Sequence, residues 1–151
     1  MTAATTRLAC LVILGLVLAL PPVAGAGNAP LKRALAAWSH RIGADARAIG
    51  LSATRRHPRR MTLRANHFRL DALRARRALG VQRPSTARGR RAKALALAAF
   101  RNYAIVGREW ALSGRARLRH LRALATRHAS IAKRYATKGN RQLVAAARLL
   151  R

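Results

Sequence analysis

Apolar residues along this chain recur at intervals of three and four, the spacing that lines one face of an α-helix, and no useful run alternates as a strand would. Leu31, Leu35, Trp38, Ile42, Ala46 and Ile49 share one such face and predict a helix over 31–49, with Gly50 as its stop. The segment LSATRRHPRR (51–60) reads as a basic loop, because Pro58 biases His57 away from helix. A second helix is predicted over 62–79, closed by Gly80. It carries two apolar stripes, Leu63, Leu70 and Leu73 on one side and Phe68, Ala72, Ala75 and Leu79 on another, as a helix with more than one neighbour would. VQRPSTARGRR (81–91) reads as a second basic connector, in which Ser85 is placed to cap the segment after Pro84.

The third predicted helix, 91–112, differs in kind. Between Leu95 and Val106 only Arg101 and Asn102 are polar, so this helix is apolar nearly all round and belongs at the centre of a bundle. As a membrane span the run is too short and contains Arg101. Ser113-Gly114 is expected to break the chain before a fourth helix at 115–137. There Leu118, Leu121, Leu124, Ala125, His128, Ile131, Ala132 and Tyr135 form an apolar arc opposite Arg115, Arg119, Arg122, Arg127, Lys133 and Arg134, and Arg117 alone intrudes into the arc. Lys138-Gly139-Asn140 reads as a turn, and Leu143, Val144, Ala147 and Leu150 mark a last helix at 141–151. The expected fold class is therefore all-α: a small bundle of about five helices around a central apolar one. With 35 alanines the composition favours helix and close helix approach, but it buries little area per residue.

The first 27 residues have a different pattern. MTAATTRLACLVILGLVLALPPVAGAG has a short start bearing Arg7, an apolar run from Leu8 to Leu20, a Pro21-Pro22 break and a small-residue ending, the tripartite form of a secretory signal peptide. Residues 1–26 are read as that leader and 27–151 as one basic helical domain. The destination is then secreted, periplasmic or cell-envelope. The alternative is a protein anchored by an uncleaved N-terminal segment, although the run falls short of the roughly 20 apolar residues that span a bilayer. Cys10 is an apolar member of the leader, so the exported chain has no disulfide framework.

Charge changes the picture most. The chain has 32 Lys+Arg against 3 Asp+Glu, a formal net charge of +29, of which the leader carries only Arg7. Just four of these cations are lysines (Lys32, Lys93, Lys133 and Lys138). Helix geometry accounts for where the arginines fall but not for their number. GC-rich coding composition raises arginine, yet gives no reason for acids to be scarce, and an ordinary solvated surface mixes both signs. A surface without internal counter-charges gathers small anions and releases them to a polyanion, the source of salt-sensitive affinity. Guanidinium also pairs with phosphate and carboxylate in bidentate fashion.

The sequence therefore predicts an exported, non-enzymatic protein that associates with anionic polymers or an anionic membrane surface: envelope polymers, lipid headgroups or extracellular nucleic acid. The residues expected to make contact are Arg55, Arg56, Arg59 and Arg60, then Arg88, Arg90 and Arg91 in the connectors, and Arg115, Arg119, Arg122 and Arg127 on the fourth helix. Two other readings stand beside it. In one, an interaction module has compositional basicity and requires an acidic protein partner. In the other, the protein is membrane-active, pairing the basic and apolar faces of the fourth helix. Sequence-specific DNA reading has no zinc-ligand or helix-turn-helix signature behind it, and single-strand stacking lacks interleaved aromatics.

Groups for catalysis are few. Asp45, Asp71 and Glu109 form no close sequence pair. Asp45 is expected to pair with Arg41, Asp71 with Arg74, and Glu109, on the same side as Asn102, with some arginine. His40, His57, His67, His120 and His128 never stand three or four apart, so no metal site or cofactor is expected, and Ser39-His40, adjacent on a helix, point apart. His128 reads as a packed or edge histidine on the helical seam.

Overall fold

The computed structural model describes residues 28–151; the leader and Cys10 lie outside the described residues. The described chain is 89% helical, without strands, and consists of four helices: α1 (Ala29–Thr54), α2 (Pro58–Gly80), α3 (Ala87–Leu118) and α4 (Arg122–Leu149). Each packs chiefly on its neighbour in sequence, α1 on α2, α2 on α3 and α3 on α4, which leaves α3 with a long seam on each side. Connectors of three residues, 55–57 and 119–121, fold α1 back on α2 and α3 back on α4 as antiparallel hairpins. None of the described helices is long and apolar enough to cross a membrane.

The expected count of about five becomes four because both glycine signals late in the chain act as contacts rather than breaks. α3 continues through Ser113-Gly114. The Ser113 hydroxyl donates to the Ala125 carbonyl of α4 at 2.9 Å, and a Cβ on Gly114 would collide with the Thr62 hydroxyl of α2. α4 likewise runs through Gly139, where a Cβ would sit 2.9 Å from the Tyr103 ring. These glycines keep helical backbone and let a neighbour close in, so the predicted boundaries at 113–114 and 138–140 do not exist. α1 also passes Gly50 and ends at Thr54, with Ser52 and Thr54 hydroxyls bonded back to Ala48 and Gly50 carbonyls.

The actual breaks at 55–57 and 119–121 share one geometry. In the first, the Arg56 amide donates to the Ala53 carbonyl and the His57 amide to Ser52; in the second, His120 donates to Arg117 and Leu121 to Ala116. This is the paired 5→2 and 6→1 pattern that ends a helix with one left-handed residue, usually glycine. Here the left-handed positions are Arg56 (φ 55°) and His120 (φ 57°). Neither corner contains the glycine that would have announced it. Pro58 then begins α2 at a position where its missing N–H costs nothing. At the other end Thr86, not Ser85, caps α3: its hydroxyl accepts from the Gly89 amide at 3.0 Å. The Lys93 ammonium donates to the Gly80 and Gln82 carbonyls, closing the end of α2.

The core lies along the two seams of α3. Phe100 and Tyr103 are buried, and Tyr103 meets Phe68 and Phe100 edge-on at centroid distances of 6.0 and 5.7 Å. Around them the contact positions are mostly alanine: Ala65, Ala72 and Ala75 from α2, Ala92, Ala96 and Ala99 from α3, Ala132, Ala136 and Ala146 from α4. Leu31, Leu35, Ile42 and Ile49 bury the predicted face of α1. α2 does have two neighbours, but the Leu63 and Leu70 stripe is not what touches them: these side chains are 69% and 51% exposed. Polar ties cross the α3–α4 seam. Tyr103 donates to Asn140 Oδ1 and Asn102 to Gln142 Oε1, each at 2.6 Å. Burial holds the Tyr103 phenol above its usual range.

Candidate functional site

The chemistry of this molecule is set by where its few acids go. All three turn inward. Asp71 is fully buried between α1 and α2, where Arg41 and Arg74 (2.9 Å) each donate to one of its oxygens. Burial opposes ionisation of that carboxyl, but the two guanidinium bonds outweigh it and hold its pKa below the ordinary aspartate value. Arg41 is shared with Trp38, its guanidinium carbon 5.6 Å from the ring centroid. Asp45 departs from the expected Arg41 pairing. Its partner is His67, at 3.2 Å on α2, because Arg41 reaches across to Asp71 instead. Burial raises the Asp45 pKa, and the His67 contact only partly offsets it. Glu109 is buried on α3, joined to Arg108 (2.8 Å) and to His128 Nδ1 of α4 (2.7 Å). Those bonds outweigh its burial and keep the pKa low.

The fold thus gathers Asp45, His67 and Asp71, whose ligand-type atoms lie within 4.8 Å of one another, from two helices that sequence spacing could not connect. The buried Asp71 already has two guanidinium partners, which supply the positive charge a cation would bring. The cluster is a polar network, two arginines on Asp71 and His67 on Asp45, that joins α1 to α2.

The arginines face the other way. Of the 27 arginines in the described residues, 26 are exposed and only Arg47 is half-buried. Arg41, Arg74 and Arg108 are the only arginines among the described residues to reach a carboxylate. Every arginine expected from the sequence to make contact is exposed, but the fold sorts them into separate groups. Arg55 and Arg56 sit in the first corner and Arg59 and Arg60 on the opening turn of α2, so only part of 51–60 is loop. Arg115 lies in the last turn of α3, Arg119 in the second corner and Arg122 at the start of α4. Because both corners are hairpin ends on the same side of the bundle, these seven form one basic end. Arg117, the exception to the predicted amphipathic arc, belongs with them. It lines a shallow recess of about 230 Å³ with Arg56, His57 and Pro58, so the two corners touch.

Arg88, Arg90 and Arg91 are at the opposite end, on the first turns of α3 rather than in a connector, because the Thr86 cap starts the helix earlier than proline and glycine spacing implies. Arg127 stands apart on the shaft of α4. None of the four described helices has an acid in its first turn. The positive ends of α2 and α4 therefore add to the corner arginines rather than being neutralised.

One further departure concerns the apolar arc of the fourth predicted helix. Ala125 and Ala132 are buried as expected, but Leu118, Leu121 and Leu124 are 42%, 47% and 41% exposed. The helix they were expected to share is interrupted at 119–121, and the reversal carries all three away from the core. Comparison with known protein families, curated proteins and solved structures returns no match.

Proposed function

We propose that this is an exported, non-enzymatic basic protein that associates electrostatically with polyanions of the cell envelope or exterior. The observation that carries the reading is the segregation of charge: three acids folded inward against Arg41, Arg74, Arg108 and two histidines, and the other 23 exposed arginines left without a carboxylate in bonding reach. Such a surface condenses small anions, and a polyanion displaces them with a gain in entropy. Export rests on the leader pattern of residues 1–26, and an exported chain would meet wall polymers, lipid headgroups and extracellular nucleic acid.

The test is retention on heparin, duplex DNA and anionic vesicles across a salt series. Affinity is expected to fall steeply and log-linearly with salt on every polyanion, with a slope set by the number of arginines engaged. Absence of binding at low salt, or indifference to salt, overturns the reading.

A further inference from the structure

The basic end and the exposed leucines coincide. Leu118 closes α3, Leu121 is the last residue of the second corner and Leu124 lies in the first turn of α4, a spacing of three around the reversal. Leu51, 58% exposed, occupies the last turn of α1 at the same end. Single exposed leucines are ordinary. Four around two touching corners, among the exposed arginines 55, 56, 59, 60, 115, 117, 119 and 122, all lie outside the buried core. Charge alone does not distinguish the two ends, because Arg83, Arg88, Arg90 and Arg91 surround the 81–86 connector. Exposed large apolar side chains do: among the described residues the connector end offers only Val81. Leu63 and Leu70 lie along the shaft of α2.

A rigid tip that presents leucine between guanidinium groups matches the boundary of an anionic bilayer. Phosphates lie there at the level of the arginines, and acyl chains begin a few ångströms deeper. A second copy of the chain is a poor occupant, since two such tips repel. A soluble polyanion engages the arginines but leaves the leucines wet. We propose that the corner end is a membrane-docking face for anionic phospholipid, with Leu118, Leu121 and Leu124 entering the headgroup boundary while the arginines of both corners bind its phosphates. This rests on the polyanion reading above and narrows it to one partner and one orientation.

The experiment uses the full chain carrying Cys10→Ser, with an environment-sensitive dye on a single introduced cysteine, Leu121→Cys in one preparation and Ser85→Cys in the other. With phosphatidylglycerol vesicles the dye at 121 is expected to shift to the blue while the dye at 85 stays in water; phosphatidylcholine vesicles leave both unchanged. Asn28 is hydrogen-bonded to Thr86 at 2.9 Å, so the N-terminal segment attaches beside residue 85 and what it contributes is read by that dye; a blue shift at 121 reads the corner end. In parallel, Leu118→Gln, Leu121→Gln and Leu124→Gln together are expected to weaken partition onto phosphatidylglycerol by roughly tenfold or more, while heparin retention is unchanged. Val81→Gln, at the other end, is expected to leave partition unchanged. All four residues are exposed, and unchanged helical circular dichroism confirms that each variant folds.

Heparin binding with a dye at 121 that stays wet on phosphatidylglycerol overturns the docking face and leaves the polyanion reading standing. So does a blue shift at 85 in place of 121. Loss of salt-sensitive binding to heparin and vesicles alike overturns both.

Discussion

Asp71 and Asp45 sit on facing helices a few ångströms apart, yet folding moves their acidities in opposite directions. Asp71 is held below its ordinary pKa, so in acid the unfolded chain takes up a proton more readily than the folded one. Its contribution to stability is full above the ordinary aspartate range and disappears as pH falls through the depressed value. Asp71→Asn is expected to cost about 1.5 kcal/mol at pH 7, the loss of charge-assisted bonds to two guanidinium groups that are themselves 53% and 58% exposed and stay solvated without it. The gap from the parent should close as the solution is acidified, which urea unfolding at a series of pH values checks. Asp45 has the opposite sign. Its pKa is raised, so its ionised form is a liability above the ordinary range that is relieved as pH falls. Asp45→Asn is therefore expected to leave stability at pH 7 unchanged or slightly higher, despite the lost His67 contact, and the same titration reads it. Which arginine would serve which acid was only half legible. Asp71 with Arg74 is an i,i+3 pair that helix geometry announces. Arg41 with Asp71 and His67 with Asp45 join residues 30 and 22 apart, decided by how α1 lies on α2.

At the scale of elements, glycine carries the sharpest contrast. A Cβ at Gly107 of α3 would come within 2.8 Å of the Ala65 carbonyl and the Arg69 amide of α2, both backbone atoms that cannot step aside. Gly107→Ala is expected to lower stability by about 1–3 kcal/mol, the range for overpacking, even though alanine is the better helix former. Gly50, in the body of α1, has nothing within 4 Å of its would-be Cβ and does not use a positive φ. Gly50→Ala is expected to raise stability by about 0.5–1 kcal/mol. Thermal melts of the pair, followed by circular dichroism, should move in opposite directions. His120 offers a third test. It holds a left-handed backbone that costs a non-glycine residue roughly 1 kcal/mol, so His120→Gly is expected to stabilise the α3–α4 corner and shift the melting temperature upward. These positions show why periodicity and punctuation misplace the helix ends. Glycine can stop a helix or admit a neighbour, and only the facing helix tells which. Arg56 and His120 make their corners without any residue that favours one.

Across the whole molecule, self-repulsion among cations spread over a thin, alanine-rich core is the strongest force against folding that the surface supplies. Salt shortens the screening length from about 10 Å at 0.1 M to about 3 Å at 1 M. The melting temperature of the free protein is accordingly expected to rise with salt, while its affinity for heparin falls. Both trends have the same cause. A melting temperature that drops with salt would show that the arginines do not repel one another as their exposure implies.

The sequence by itself determined helix as the element of the described residues, the buried faces of α1 and α3 and the outward strip of arginines. Each of these follows from a period of 3.6 residues and the cost of burying charge. Tertiary structure decided the rest. It set the number of helices, because Gly114 and Gly139 proved to be contacts. It drew the basic residues of 55–60 and 115–122 to one end and sent 88–91 to the other, because three-residue corners force antiparallel hairpins. It also turned three leucines of a seemingly core-facing arc out to solvent, because a left-handed residue at 120 reverses the chain in their midst. Local periodicity specifies which face of a helix is apolar; only the partner that covers that face, or fails to, settles what the face is for.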